Sequence, residues 1–171
     1  SSTGRAPVTA DRLRPAARAL VLDPDDRVLL VRFSFPWVDH PVWAMPGGGL
    51  EPGETAEDGI RRELAEEVGL VDAELGPVVW VREARWAQAS LMGPYDGQRE
   101  TVFLVRVQPF EPVPHLDEEA LRRELVTGMR WWTLAEIGAE REAGFAPLDL
   151  HDHLARLLAD GPPEAPLAIG F

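Results

Sequence analysis

The alternation of apolar and polar residues predicts two antiparallel hairpins. Residues 17 to 23 (ARALVLD) and 27 to 33 (RVLLVRF) are rich in Val and Leu and flank residues 24 to 26 (PDD), which have the composition of a turn. Residues 73 to 86 and 100 to 110 are again strand-rich, and a connection containing Gly and Pro joins them. We expect these stretches to form most of one sheet.

Helical periodicity lies between and after the hairpins. Thr55 suits the N-cap of a helix, and Gly69 suits the left-handed position that ends one. Two further helices are predicted at residues 116 to 125 and 147 to 160, with a short strand at residues 129 to 133 between them. This order of elements favours an α/β sandwich on a mixed sheet. The apolar stripe of the first helix consists of Ala56, Ile60, Leu64 and Val68.

Three glutamates share one face of that first helix. At roughly 100° per residue, Glu63, Glu66 and Glu67 fall within a sector about 100° wide, with Arg62 on its flank. Crowded carboxylates repel one another, and a hard cation relieves the repulsion by taking oxygen ligands; Mg²⁺ suits this best, with Mn²⁺ as a substitute. A solvated acidic face is the alternative, but it does not explain why glycines bracket the helix at both ends.

The same segment carries a family pattern. Its fixed positions are a Gly, a Glu six residues later, and then Arg-Glu-apolar-any-Glu-Glu-any-Gly-apolar. The sequence resembles the Nudix box over residues 48 to 70, with every required position matched by Gly48, Glu54, Arg62, Glu63, Leu64, Glu66, Glu67, Gly69 and Leu70. The resemblance implies a Nudix-type α/β/α sandwich with a mixed central sheet over roughly residues 14 to 160. Residues 1 to 13 are then an N-terminal lead and residues 161 to 171 a Pro-rich tail, whose apolar end could pack back or meet a partner.

The resemblance also implies roles for individual residues. It makes Glu63, Glu66 and Glu67 the metal ligands, with the backbone of Gly48 completing the metal shell. Arg62 and Glu54 would brace the loop and helix. One of the three glutamates, or a carboxylate outside the box, would be the general base. The acidic stretch before residues 129 to 133 resembles the place where many Nudix enzymes contribute a further Glu, and Glu124 is the best candidate there.

Other residues are candidates for binding the substrate. Arg18 and Arg32 lie on the first predicted hairpin, where each could contact a phosphate or simply form an ion pair. Trp37 and His40 lie in a Pro-bounded loop rich in aromatic residues, which could stack on a base or cover the edge of the core. Gly47 precedes Gly48 in a run of three glycines, which lets the backbone approach a ligand closely.

Composition narrows the classes of function. The net charge of −12 disfavours broad attraction to nucleic acid or anionic membranes. The chain has no cysteine, which excludes disulfides, thiolate metal sites and Cys nucleophiles. It shows no signal peptide and no 18-residue apolar run, so we expect a cytoplasmic protein with no membrane segment. A homodimer is left open.

The function implied is Mg²⁺-dependent hydrolysis of a nucleoside diphosphate linked to another group, by water attack on phosphorus. The alternatives are a noncatalytic nucleotide-binding regulator, an isopentenyl diphosphate isomerase, which would need a cysteine, and a protein that trims RNA 5′ ends. The subfamily stays open. ADP-ribose-cleaving members tend to have a Pro where this chain has Trp86, and diadenosine-polyphosphate members a Tyr near Ala87 and Gln88.

Overall fold

The computed structural model describes residues 12–85 and 94–170, and this part of the chain contains nine strands and four helices. The strands are β1 (Leu13–Leu22), β2 (Val28–Phe33), β3 (Val42–Ala44), β4 (Gly47–Gly49), β5 (Val78–Arg85), β6 (Gly97–Arg106), β7 (Val126–Trp132), β8 (Gly144–Ala146) and β9 (Leu167–Ile169). The helices are α1 (Ala56–Val68), α2 (Glu118–Arg123), α3 (Leu134–Ala139) and α4 (Leu150–Asp160). None of these helices is long and apolar enough to cross a membrane.

All nine strands belong to one mixed sheet. Its main order is β8-β3-β2-β1-β6-β5-β9, while β4 pairs with β1 and β7 pairs with β2. Strand β1 runs parallel to β6 from the Leu13–Gly97 pair to the Leu22–Arg106 pair, and the β3–β8 and β5–β9 pairs are also parallel. The remaining pairs are antiparallel, so the mixed sheet predicted from the sequence is confirmed.

Helices cover both faces of the sheet. Successive side chains of a strand point to opposite faces. On β1, Leu20 and Leu22 therefore pack in one core with Leu154 of α4, whereas Ala19 and Val21 pack in a second core with α1. The predicted α/β/α sandwich is confirmed, and α1 lies on the face opposite to α4.

Both predicted hairpins are present. Strands β1 and β2 are antiparallel, and the carboxylate of Asp23 holds their turn by accepting hydrogen bonds from the backbone N–H groups of Asp25 and Arg27. Strands β5 and β6 form the second hairpin. Some boundaries differ from the prediction: β1 already begins at Leu13, and α2 begins later, after its N-cap Asp117. It also ends earlier, because Leu125 adopts a left-handed φ of 64°.

The tail and the short strands were less evident in the sequence. Strand β9 lies within the Pro-rich tail and pairs with β5, with Leu167 opposite Trp80, so the apolar end of the tail packs back on the sheet. Strand β8 was not predicted. The residues used above as subfamily markers, Trp86, Ala87 and Gln88, lie outside the described residues.

Candidate active site

Helix α1 begins and ends where the sequence predicted. The side chain of Thr55 accepts a hydrogen bond from the backbone N–H of Asp58, and Gly69 has a left-handed φ of 76°. Ile60, Leu64 and Val68 are fully buried, which fixes the rotation of the helix against the sheet. The glutamate face is thereby turned toward the margin of the sheet at β4.

The three box glutamates differ in exposure. The side chain of Glu66 is 39% exposed and that of Glu63 12%, whereas Glu67 is only 2% exposed and accepts a 2.8 Å hydrogen bond from the backbone N–H of Gly47. Burial, together with the nearby charge of Glu63, raises the pKa of Glu67 to about 8. Burial also raises the pKa of Glu63; Arg62 opposes this effect and Glu124 adds to it.

Arg62 ties the helix to the loop before it. Its guanidinium donates to both carboxylate oxygens of Glu54, at 2.8 and 2.9 Å, and these bonds lower the pKa of Glu54 to about 2. It also donates to the carboxylates of Glu63 and Glu66, at 3.2 and 3.3 Å, and to the carbonyl oxygen of Gly49. These hydrogen bonds connect the helix to the loop before it, which is what the bracing role predicted for Arg62 and Glu54 requires.

At each of the three glycines of β4, a side chain would come too close to a different neighbouring group. Gly47 has a φ of 142°, and a Cβ there would collide with the backbone of β1. A Cβ on Gly48 would lie 2.8 Å from a carboxylate oxygen of Glu63, and one on Gly49 would overlap the guanidinium of Arg14. Side chains on β4 would therefore displace charged groups on either side of the strand.

These elements enclose a cleft of about 440 Å³. Of the residues predicted for the site, the cleft brings together Arg18, Gly47, Gly48, Arg62, Glu63 and Glu124. The residues that line the cleft but were not predicted for the site include Arg14, Phe33 and Gln98. Extending β1 backwards from Arg18 with a period of two would have found Arg14, because alternate residues of a strand share a face.

The guanidinium of Arg18 is paired with groups of the protein itself. It donates to Glu100 at 2.7 Å and to the carbonyl oxygen of Met45 at 2.9 Å. Burial disfavours its charge, but Glu100, with the charges of Glu67 and Glu63, outweighs this effect and raises the pKa of Arg18. Arg82 approaches the other oxygen of the same carboxylate at 3.1 Å, and both of these side chains are 2% exposed. The ion-pair role considered for Arg18 is thus observed.

The other predicted substrate contacts lie away from the cleft wall. Arg32 donates to the side-chain and backbone oxygens of Thr127, at 3.1 and 2.8 Å, and lies over the ring of Trp43. Trp37 is 74% exposed, and the ring of His40 contacts the carboxylate of Asp39 at 3.0 Å. Whether Arg32, Trp37 or His40 contacts a substrate stays a prediction.

The donor set suits a hard divalent cation. Within the described part of the chain, no three acidic or histidine side chains form a group ready to hold a metal ion. Arg62 donates hydrogen bonds to Glu63 and Glu66, and the backbone N–H of Gly47 donates one to Glu67. The raised pKa values of Glu63 and Glu67 reflect crowded carboxylates in a dry setting, and an oxygen-seeking cation relieves that crowding.

A mixed sheet between helices, with a glycine strand facing an acidic helix, is the architecture of a Nudix domain. The family model of the NUDIX domain matches residues 12–155, so the chain belongs to the Nudix hydrolase family. The RNA pyrophosphohydrolase of a Nitratiruptor species is 32% identical over 106 residues, which are 57% of this chain and 66% of that protein. The enzyme of the same name from Helicobacter pylori is 29% identical over 105 residues, 57% of this chain and 65% of that protein. The chain thus spans just under two thirds of the length of these curated relatives.

Solved structures agree in fold. The NUDIX domain of Shewanella oneidensis NrtR, determined with ADP ribose, superposes with a TM-score of 0.63 at 19% identity, covering 91% of this chain and 94% of that one. The E. coli ORF135 protein gives a TM-score of 0.61 at 20% identity, covering 93% and 100%. At these identities the likeness concerns the fold alone.

Proposed function

We propose that the chain is a divalent-cation-dependent pyrophosphohydrolase that cleaves nucleoside diphosphates linked to another group, such as nucleoside triphosphates or nucleotide sugars. The observation that carries the proposal is the pair Glu63 and Glu67, two largely buried carboxylates with raised pKa values at a cleft whose lining includes Glu63. Burying like charges is unfavourable unless a cation compensates for them, and the same cation can then bind phosphates.

Glu63, Glu66 and Glu67 would hold the cation, with the backbone of Gly48 as a further ligand. Mg²⁺ matches these oxygen donors best, and Mn²⁺ can replace it. When bound, the cation supplies charge neutralisation at the phosphates and activation of water.

The chain's own groups provide positioning and proton transfer. Arg62 fixes the directions of Glu63 and Glu66, and the N–H of Gly47 fixes Glu67. Glu124, or one of the box glutamates, accepts the proton of the attacking water as the bond from phosphorus to the leaving phosphate breaks. The chain lacks a cysteine, which leaves direct attack by water as the simplest route.

An aromatic stack leads from the cleft into solvent. Phe33 lines the cleft, Phe35 stacks on it with ring centroids 5.7 Å apart, and Trp37 stacks on Phe35 at 5.2 Å. Trp37 is the exposed end of this stack, and base–aromatic stacking suits any nucleobase. We assign the base of the substrate to Trp37 and keep His40, which lies in the same loop, as a predicted substrate contact. The Nudix domain solved with ADP ribose supports a nucleotide derivative as ligand.

An RNA 5′ end is the second candidate substrate. The curated relatives at 29% and 32% identity are named RNA pyrophosphohydrolases, which favours it. The net charge of −12 acts against binding a long phosphate backbone. A noncatalytic nucleotide-binding regulator is disfavoured by the complete set of box residues.

The test is a hydrolysis screen with Mg²⁺ or Mn²⁺, using nucleoside triphosphates, nucleotide sugars, ADP-ribose and a 5′-triphosphorylated oligoribonucleotide. We expect release of phosphate, pyrophosphate or a nucleoside monophosphate, and complete loss of activity in excess chelator. Glu67→Gln should lower kcat by about a hundredfold or more, because it removes one cation ligand.

Glu57→Gln is the matched control, since Glu57 is exposed in the first turn of the same helix. It should keep wild-type kcat, and circular dichroism should show both variants folded. Undiminished activity in chelator, or wild-type kcat in Glu67→Gln, would contradict the proposal. Preference for the oligoribonucleotide over every small nucleotide would instead select the second substrate.

A further inference from the structure

Three arginines line the cleft, and two of them are already neutralised by the protein. Arg62 pairs with three carboxylates, those of Glu54, Glu63 and Glu66, at 2.8 to 3.3 Å. Arg18 pairs with Glu100 at 2.7 Å. Neither guanidinium has a free charge to offer a phosphate without giving up an internal partner.

Arg14 is different. It is exposed, and it makes no hydrogen bond or ion pair with any other residue that the structure describes. It lies on β1 four positions before Arg18 and therefore on the same face of the strand. Its guanidinium rests against Gly49, in space that a Cβ would fill. On strand β4, the carboxylate of Glu63 therefore lies against Gly48. The guanidinium of Arg14, which is unpaired among the described residues, lies against Gly49.

We propose that Arg14 binds the substrate through a phosphate that the box glutamates and their cation do not hold. This inference rests on the proposed function, since it assigns a residue to the same site. A guanidinium presents two parallel N–H groups that match two phosphate oxygens. In a chain with a net charge of −12, a cation at the cleft also offsets the general repulsion of an anionic substrate.

The opposing explanation is that Arg14 only covers the glycine strand. In that case its removal would change stability and leave ligand binding unaltered. Binding should therefore be measured apart from turnover, with methylenediphosphonate as the probe. This diphosphate analogue has a carbon bridge between its phosphorus atoms, so it cannot be hydrolysed as a phosphoanhydride.

The first experiment is calorimetric titration of methylenediphosphonate, in Mg²⁺, into the wild type and three variants. We expect Arg14→Ala to raise Kd by about tenfold to a hundredfold. Arg14→Lys should raise Kd less, because lysine keeps the positive charge but lacks the two parallel N–H groups of the guanidinium. Arg156→Ala is the matched control. Arg156 is an exposed arginine of α4, outside the cleft, with no hydrogen bond or ion pair to another described residue. It should bind the probe as the wild type does.

A second variant displaces the guanidinium without removing it. Gly49 does not have a left-handed φ, so Gly49→Ala is tolerated by the backbone, and its methyl group must push the flexible end of Arg14 aside. We expect Gly49→Ala to weaken probe binding as Arg14→Ala does. The double variant should be no weaker than Arg14→Ala alone, because both changes remove the same contact.

The outcomes separate this inference from the proposed function. Wild-type Kd in Arg14→Ala, or fully additive losses in the double variant, would overturn the role of Arg14 even if hydrolysis is observed. Tight probe binding that depends on Arg14 would support it even if the wild type hydrolyses nothing in the screen. With a hydrolysed substrate, Arg14→Ala should raise KM more than it lowers kcat.

Discussion

Glu118 and Glu124 stand at opposite ends of the short helix α2, in different surroundings. The side chain of Glu118 is 90% exposed and lies 3.6 Å from Arg122. Glu124 ends the helix, where its backbone N–H bonds to the carbonyl oxygen of Ala120, and it lines the cleft. Its charge contributes to the raised pKa of Glu63. Glu124, the candidate suggested by the family resemblance, therefore lines the same cleft as Glu63. Its part in the reaction stays a prediction.

Glu124→Gln tests whether that carboxylate takes part in the reaction. If it accepts the proton of the attacking water, the amide cannot do so, and kcat should fall by about a hundredfold or more. Glu118→Gln changes the same side chain at the exposed end of the helix and should leave kcat within about twofold. Steady-state kinetics of both variants, at saturating cation, make the comparison. Equal, mild effects would remove Glu124 from the mechanism.

At the scale of elements, Arg62 joins α1 to the loop and strand before it. Glu54 precedes the helix, Gly49 ends β4, and the guanidinium bonds to both. The same side chain orients Glu63 and Glu66 within the helix. The Arg62–Glu54 pair therefore links the helix to the loop and to the glycine strand, while the buried apolar stripe fixes the rotation of the helix.

This junction predicts a pH dependence of stability. The pKa of Glu54 is about 2 in the folded protein against an ordinary 4.5, mainly because Arg62 donates to its ionised form. A depressed folded pKa stabilises the fold above the unfolded value, and that contribution is lost as the pH falls from about 4.5 to about 2. Urea unfolding should show the wild type more stable than Glu54→Gln at pH above this window, with the difference shrinking inside it.

Glu57→Gln, on the exposed side of the same helix, is the control. Its stability difference from the wild type should not change with pH in this window. A difference between the wild type and Glu54→Gln that stays constant through the window would mean that the ion pair does not set the pKa of Glu54.

The elements that the sequence predicted best are those with local causes. Helix α1 depends on a cap at Thr55, a left-handed Gly69 and an apolar stripe, all readable within fifteen or so residues. The contact of Arg14 with Gly49 escaped notice because the two residues are distant in sequence and adjacent only through the pairing of β1 with β4. Strand β9 escaped notice because three residues after a Pro-rich stretch carry no period of their own and pair only because β5 offers an edge.

At the scale of the whole molecule, the sheet separates two hydrophobic cores, and only one of them packs against the helix that carries the box glutamates. One contains Leu64 of α1 and lies directly behind the box glutamates. The other contains Leu154 of α4 and lies across the sheet from them. Both leucines are fully buried, so each contributes to stability in the same way, but only one lies on the helix that carries the site.

Leu64→Ala and Leu154→Ala should therefore separate stability from activity. Each leaves a cavity in a close-packed core, and urea unfolding should show each costing about 2 to 5 kcal/mol. Under conditions where circular dichroism shows both variants folded, Leu64→Ala should lower kcat by about tenfold or more, because relaxation around its cavity moves the neighbouring carboxylates, and small misplacements of reacting groups are costly. Leu154→Ala should keep kcat close to that of the wild type. Equal losses of kcat in both would mean that the sheet transmits changes between the two cores, and that α1 is not positioned independently of α4.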